Sequence, residues 1–395
     1  MKLGVISTWN GSAWGGSEEL WATMVEEAIK ERLEVAVSIC HGAELPTKYP
    51  SLHNGARVFR RRPLLGRRVE MVISKFAPPF REIFRWNPDV VCISEGGTYE
   101  SLYFSDLVNL LYKASIPYVV VCQFCRDDAG RGDIRTLGKD FFQRAFRVAF
   151  VSRKNLKSVE RQLAHRLTNG IVLQNPVNLS DLSAVPYSSS RPLSIANVGR
   201  LRAGHKGQDI LLEVFGSPIW RAREWRLRLY GTGQDRNYLA ALAEHYGVTE
   251  HVEFRGHVSD IRSLWEANHL LVLPSRAEGT PLALVEAMLC GRPAVVTDVG
   301  GNAEWIEDGK SGFVAGAATA KSFGAALERA WLARTDWEQM GIRARQSALH
   351  RFDRSPGKSL LKIVVDAAQR SLSNVVPNSQ VYEQHSGATD ACVLR

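Results

Sequence analysis

No apolar run in this chain exceeds strand length, so nothing in it reads as a transmembrane helix. The N-terminus, MKLGVIST, leads directly into a strand-like run without a basic leader, an apolar leader core or a small-residue cleavage site, and the expected location is cytoplasmic. Cysteine is scarce. The six residues, at 40, 92, 122, 125, 290 and 392, mostly lie in apolar strand or helix contexts rather than in loops spaced for bridging, so reduced thiols are expected. Cys122 and Cys125 form a lone CxxC with no second pair and no neighbouring histidines, a pattern that suits buried thiols better than metal or redox chemistry. Neither GxGxxG nor GxxxxGK[ST] occurs, which argues against dinucleotide and P-loop sites. Zinc-finger, RNP and helix-turn-helix signatures are missing too, so nucleic acid is not an expected partner. The chain has no D-x-D, and no metal is expected through paired carboxylates of that kind.

What the chain does have is length and apolar content. Its 395 residues, 45% of them hydrophobic, suffice for two ordinary domains with separate cores. The net charge of +9 is concentrated between Arg57 and Arg85, where Arg57, Arg60, Arg61, Arg62, Arg67 and Arg68 face a single nearby acid, Glu70. Such a stretch fits peripheral contact with an anionic membrane on its inner face, contact with an acidic acceptor, or an ordinary solvated edge.

In chain order, residues 2–8 read as a strand, WNGSAWGG at 9–16 as a glycine-rich loop, and the following residues as a helix capped by Ser17, with Glu18 and Glu19 in its first turn. Strand, glycine-rich loop and helix can cradle a phosphate or simply make a tight turn. Further strands are expected at 35–40, 57–61, 89–94, 118–122, 148–152 and 171–174, then at 193–199, 226–231, 252–256, 270–274 and 294–297, mostly with helical patterns between them. This alternation predicts an α/β chain of two doubly wound domains facing each other across a cleft. The expected division is 1–178, a Ser- and Pro-containing linker at 179–192, a second domain at 193–355, a helix at 356–373 that folds back across the hinge, and a polar tail at 374–395.

The chemistry concentrates in PSRAEGTPLALVEAMLCGRPAVVT, 274–297. Thr280 reads as an N-cap, Pro281 as the first helical residue and Gly291 with Pro293 as the stop, which puts Glu278 in a turn and Glu286 within a short helix. Gly279 lets a ligand approach the backbone, and the free amides of the helix start attract oxygen-rich groups. In NVGRLRAGHKGQDILLEVF, Arg200 follows a strand and Lys206 stands at a helix entry. A guanidinium fork and a movable ammonium suit a diphosphate, although the same spacing also fits a surface pair. Glu278 and Glu286 have the spacing E-x7-E, which alone carries little weight.

These segments, together with DVGGNAEWIEDGKSGFV, LYGTG, VEFRGHVSDI and GGSEELW, resemble the family-four retaining glycosyltransferases of the GT-B fold. The resemblance covers 193–345 and, more loosely, the first domain. It implies that Arg200 and Lys206 hold a donor diphosphate, that Glu286 bonds the nucleotide ribose and that Glu278 faces the transferred sugar. Gly16 would let the first-domain loop approach the phosphates. Gly279, Thr280 and Leu282 would offer backbone amides, and His257 would lie near the base. The implied activity is transfer of a hexosyl group from a nucleotide-diphosphate sugar to a glycan or lipid-linked hydroxyl, without metal or any cofactor beyond the co-substrate. Competing readings are a sugar-nucleotide epimerase or hydrolase of the same fold, and a non-catalytic sugar-nucleotide binder or membrane scaffold. Two departures stand out: Arg200 and Lys206 are one residue further apart than is common in the family, and Gln123 stands where a histidine is frequent.

Overall fold

In a computed structural model, which describes residues 1–10, 14–63, 78–126 and 132–375, the chain builds two fully parallel sheets. The tail from 376 onward, 64–77 of the arginine-rich stretch and 11–13 of the glycine-rich loop lie outside the described residues. The first sheet contains β1 (Lys2–Ser7), β2 (Glu34–Cys40), β3 (Arg57–Arg61), β4 (Val90–Glu95), β5 (Tyr118–Cys122), β6 (Arg147–Phe150) and β7 (Gly170–Val172), ordered 3-2-1-4-5-6-7. The second contains β8 (Leu193–Val198), β9 (Trp225–Tyr230), β10 (Val252–Gly256), β11 (Leu270–Leu273), β12 (Ala294–Thr297) and β13 (Gly312–Ala315), ordered 10-9-8-11-12-13. The strands are short apolar runs such as YVVVC and LLVL, buried on both faces because helices cover both sides.

Strand order reverses beside β1 and β4 in one sheet and beside β8 and β11 in the other. At such a reversal the loops leaving the carboxyl ends diverge and open a crevice. The glycine-rich loop leaves β1, the Arg200–Lys206 loop leaves β8 and the Glu278 turn leaves β11, so the topology directs all three to the crevices.

The last helix, Pro356–Val375, packs into the first domain, where Leu360, Leu361, Val364, Ala367 and Ala368 are buried with Leu20, Trp21 and Met24. Gly357 permits this approach, because a Cβ there would stand 2.7 Å from the backbone carbonyl carbon of Thr23.

Some local expectations need correction. The helix after the acidic turn runs Leu282–Leu289, with Pro281 extended as its N-cap, so Thr280 stands one residue before the cap position and its hydroxyl donates to Val151 O. The first helix starts at Gly16 with Gly15 as N-cap, and Ser17 Oγ turns to the Glu18 carboxylate rather than to a free amide. The helical pattern from 318 breaks at Arg334–Asp336, giving Ala320–Leu332 and Trp337–Arg351. Strand β13, GFVA, is not among the strands expected from the sequence.

Candidate active site between the sheets

The reacting geometry starts with a loop crossing. Lys206 ends a single-turn helix, Ala203–Lys206, and Gly207 follows with φ +68°; a Cβ on Gly207 would stand 2.1 Å from Pro274 O. Only glycine lets the β8 loop lie on the exit of β11. Arg276 secures the crossing from the other side, donating to Asp209 at 2.7 and 2.8 Å and to Ala203 O at 2.8 Å. Lys206 Nζ consequently lies 2.6 Å from Glu278 Oε1, which also accepts from Ser275 Oγ at 2.7 Å. Both side chains are largely buried, with 22% and 7% of their surface exposed. The carboxylate is thus charge-paired at the mouth of the second domain, where a charge that develops on a ligand would be felt strongly.

The first domain presses on the same turn. A Cβ on Gly279 would lie 2.1 Å from Gln123 O, and Thr280 Oγ1 donates to Val151 O at 2.7 Å. A Cβ on Gly16 would stand 3.2 Å from Leu282 Cδ1, which places the glycine-rich loop against the start of the 282–289 helix. Arg200 reaches across as well. It donates to Trp14 O at 3.3 Å and its guanidinium lies 5.2 Å from the Trp9 ring centroid. Arg200, Lys206, Glu278, Gly279, Thr280, Leu282 and Gly16 therefore line the meeting of the two domains. His257 does not join them through its side chain: it is exposed on the turn after β10 and has no side-chain partner among the described residues.

Glu286 occupies an adjacent corner. Its Oε1 accepts from Asn178 N at 2.9 Å and from Asn178 Nδ2 at 3.2 Å. Burial raises its carboxyl pKa, and the two Asn178 bonds oppose that shift. Asn178 Oδ1 accepts in turn from Lys48 Nζ at 2.8 Å, and the same ammonium pairs with Glu19 at 2.7 Å. The ribose candidate is therefore tied to the first domain through Asn178.

A cavity of about 410 Å³ opens beside the Glu278 turn, between the domains. His205, Arg276 and Glu278 line it from the second domain, and Lys154, Asn155 and Ser158 from the first. Burial, then the neighbouring Lys206, lowers the His205 pKa, which favours a neutral ring. Among the described residues no group of three or more His, Cys, Asp or Glu is gathered as a metal site.

Several residues were given no site role by the sequence. Gln123, 5% exposed, accepts from Asn175 Nδ2 at 2.7 Å beside Gly279. Glu95, fully buried at the end of β4, accepts from Ser101 N at 2.9 Å and from the Cys122 thiol at 3.6 Å, and burial pushes its pKa up to about 7. Glu100 accepts from the Thr8 hydroxyl and from Gly96 N, and its pKa is likewise raised by burial. Thr8, Cys122 and Asn175 approach them from other strand ends, so no local spacing marks these contacts. Glu304, within the quoted GGNAEW, is the one that a search of that motif for an unassigned acid would have flagged.

The chain resembles known proteins in sequence and in fold. Residues 192–332 match the model of the family described as glycosyl transferases group 1. A glycosyltransferase of uncharacterised specificity from Haemophilus influenzae is 27% identical over 209 residues, 53% of this chain and 57% of that protein. The lipopolysaccharide 1,6-galactosyltransferase of Salmonella typhimurium is 28% identical over 149 residues, 36% of this chain and 40% of that protein. The chain thus spans about half the length of the curated relatives it matches. The crystal structure of Anabaena HepE in complex with UDP and glucose superposes with a TM-score of 0.71 at 20% identity, covering 95% of this chain and 99% of that one. The two facing sheets are accordingly a GT-B fold, and within the second domain residues 192–332 are similar to the glycosyl transferases group 1.

Proposed function

We propose that the chain is a retaining hexosyltransferase, moving a hexosyl group from a nucleotide-diphosphate sugar to a hydroxyl of a glycan, glycolipid or cell-envelope polysaccharide. The observation that carries this reading is the Lys206–Glu278 pair at 2.6 Å, set where both domains converge on one turn. As the bond from the sugar C1 to the diphosphate oxygen breaks, negative charge grows on the phosphate and positive charge on the ring. Lys206, Arg200 and the amides at the start of the 282–289 helix stabilise the first. Glu278 stabilises the second from the sugar side. The acceptor oxygen bonds C1 on the face the diphosphate leaves, and the departing phosphate oxygen takes the acceptor's proton, so configuration is retained. A covalent route through Glu278 is the competing path. Glu286, with one oxygen held by Asn178, offers its other oxygen to the ribose hydroxyls. Because HepE binds UDP and glucose, UDP sugars head the list of donors to try.

A thermal-shift panel of nucleotides and sugar nucleotides tests the donor, since a ligand that binds only the folded state raises the melting temperature by mass action. A rise with nucleotide-diphosphate sugars supports the reading. No shift with any of them removes it.

A further inference from the structure

The helix Arg153–Leu163 of the first domain begins in an unusual way. Ser152 caps it conventionally, its Oγ accepting from Asn155 N at 3.1 Å. The next two amides are taken by the other domain: Arg153 N donates to Glu304 Oε2 at 3.2 Å and Lys154 N to Glu304 Oε1 at 2.8 Å. A carboxylate straddling two free amides at the positive end of a helix is a charge-assisted contact. A second arm lies beside it, where Lys154 Nζ donates to Asp298 O at 2.6 Å and to Asp298 Oδ1 at 2.7 Å. Nothing bulkier than glycine fits between the arms, because a Cβ on Gly301 would lie 2.3 Å from Thr280 Oγ1 and 2.9 Å from Ser152 Cβ.

Lys154, Asn155 and Ser158 form the first-domain wall of the cavity whose opposite side carries Glu278. We infer that Glu304 is a positioning residue for the transfer step: it docks the start of the 153–163 helix onto the second domain and so completes the cavity across from Glu278. It touches neither donor nor acceptor. This rests on the function proposed above, but the docking can be read without any turnover.

Hydrogen exchange at the Arg153 and Lys154 amides of the full chain reads the contact directly. In Glu304→Ala these two amides should exchange about tenfold faster or more, while the remainder of the 153–163 helix and strands β8 to β12 keep their protection. Glu304→Gln, which retains one carbonyl oxygen, should fall between wild type and Glu304→Ala. UDP affinity by calorimetry should stay within about threefold of wild type, while consumption of UDP-glucose falls about tenfold or more because the cavity wall is displaced. Lys154→Ala, which loosens the same interface from the other domain, should reproduce the loss of turnover. Unchanged exchange at Arg153 and Lys154 in Glu304→Ala, or turnover unchanged in both variants, overturns the inference. If the wild type consumes no sugar nucleotide the transfer reading falls by itself, and the exchange result still decides the docking.

Discussion

The Lys206 ammonium lies 2.6 Å from a carboxylate oxygen of Glu278, and Ser275 Oγ shares that oxygen at 2.7 Å. Removing either charge therefore has distinguishable consequences. Lys206→Ala leaves a carboxylate, 7% exposed, with a single hydroxyl for company, a loss of about 1–3 kcal/mol in folding stability. Glu278→Gln keeps an oxygen for Ser275 and should melt near wild type. Both variants should lower transfer by about 10²–10³, since the proposed mechanism sets each group against developing charge. Thermal unfolding and initial rates at saturating donor check the pattern. Wild-type turnover in both would take the pair out of the reacting centre.

Two glycines separate domain closure from domain folding. A Cβ on Gly279 meets Gln123 O of the other domain at 2.1 Å, so Gly279→Ala should hold the lobes apart and leave each one folded. Displacing reacting groups by roughly an ångström costs about 10² in rate, and that loss is expected with little change in melting. Gly300 has φ +51°, and a Cβ there would lie 2.1 Å from Glu278 O within the second domain itself. Gly300→Ala should instead melt earlier by several degrees. Calorimetric melting beside steady-state rates distinguishes the two, and early melting of both variants would refute the division.

The fold and the acidic turn of the candidate site could be read in the sequence because they are written locally. Parallel strands such as AVVT and YVVVC are continuous apolar runs, and 118–122, 252–256 and 294–297 match the structure to the residue. The acidic turn lay between two such strands. Pairings at long range were illegible. Asn178 with Glu286, Glu304 with the 153–163 helix and Arg200 with Trp14 join residues more than a hundred positions apart, and no period or spacing records which strand ends face each other. Thr280 misled by one position: Pro281 takes the N-cap and the helix starts at Leu282, while the Thr280 hydroxyl donates to Val151 O of the other domain.

Glu95 supplies a pH dependence of known sign. Burial raises its folded pKa to about 7 from the ordinary 4.5, so the folded state holds a proton that the unfolded chain releases across that interval. Its contribution is fully favourable below about 4.5 and is lost as pH rises through 7. At pH 8 the ionised group costs at most about 3 kcal/mol. Glu95→Gln keeps the oxygen that Ser101 N needs and carries no charge, so its stability should exceed that of wild type at pH 8 and match it at pH 4.5. Denaturant melts of both proteins at several pH values give the difference curve directly. A gap that does not grow with pH would contradict the assignment.

Arg292 makes a different use of charge. It is 1% exposed and bonds no carboxylate; Nε donates to Trp265 O at 2.9 Å and Asn268 O at 2.8 Å, and the two terminal nitrogens reach Cys290 O at 2.9 Å, Val185 O at 3.3 Å and Pro186 O at 2.5 Å. Its guanidinium also lies 5.2 Å from the Tyr187 ring centroid. One side chain thereby fastens the linker between the domains to the end of the 282–289 helix and to the turn before β11. Burial lowers its pKa, and the ring of carbonyl dipoles is what makes a buried cation tolerable there. An ammonium has fewer donors and no planar fork, so Arg292→Lys should lose about 2–3 kcal/mol. Arg292→Ala strands at least four carbonyls beside a cavity and should lose about 3–5 kcal/mol. For a domain of this size each kcal/mol lowers the melting temperature by about 2–4 °C. Limited proteolysis should then cut near Val185 and Pro186 before any other described segment, because those two carbonyls lose their anchor while the sheets stay intact. Lys206 and Glu278 are untouched by the change, so on the proposed function the UDP affinity of the protein that remains folded should be within about threefold of wild type. A stable Arg292→Ala protein with an uncut linker would show that the other contacts of 179–192 hold the linker without it.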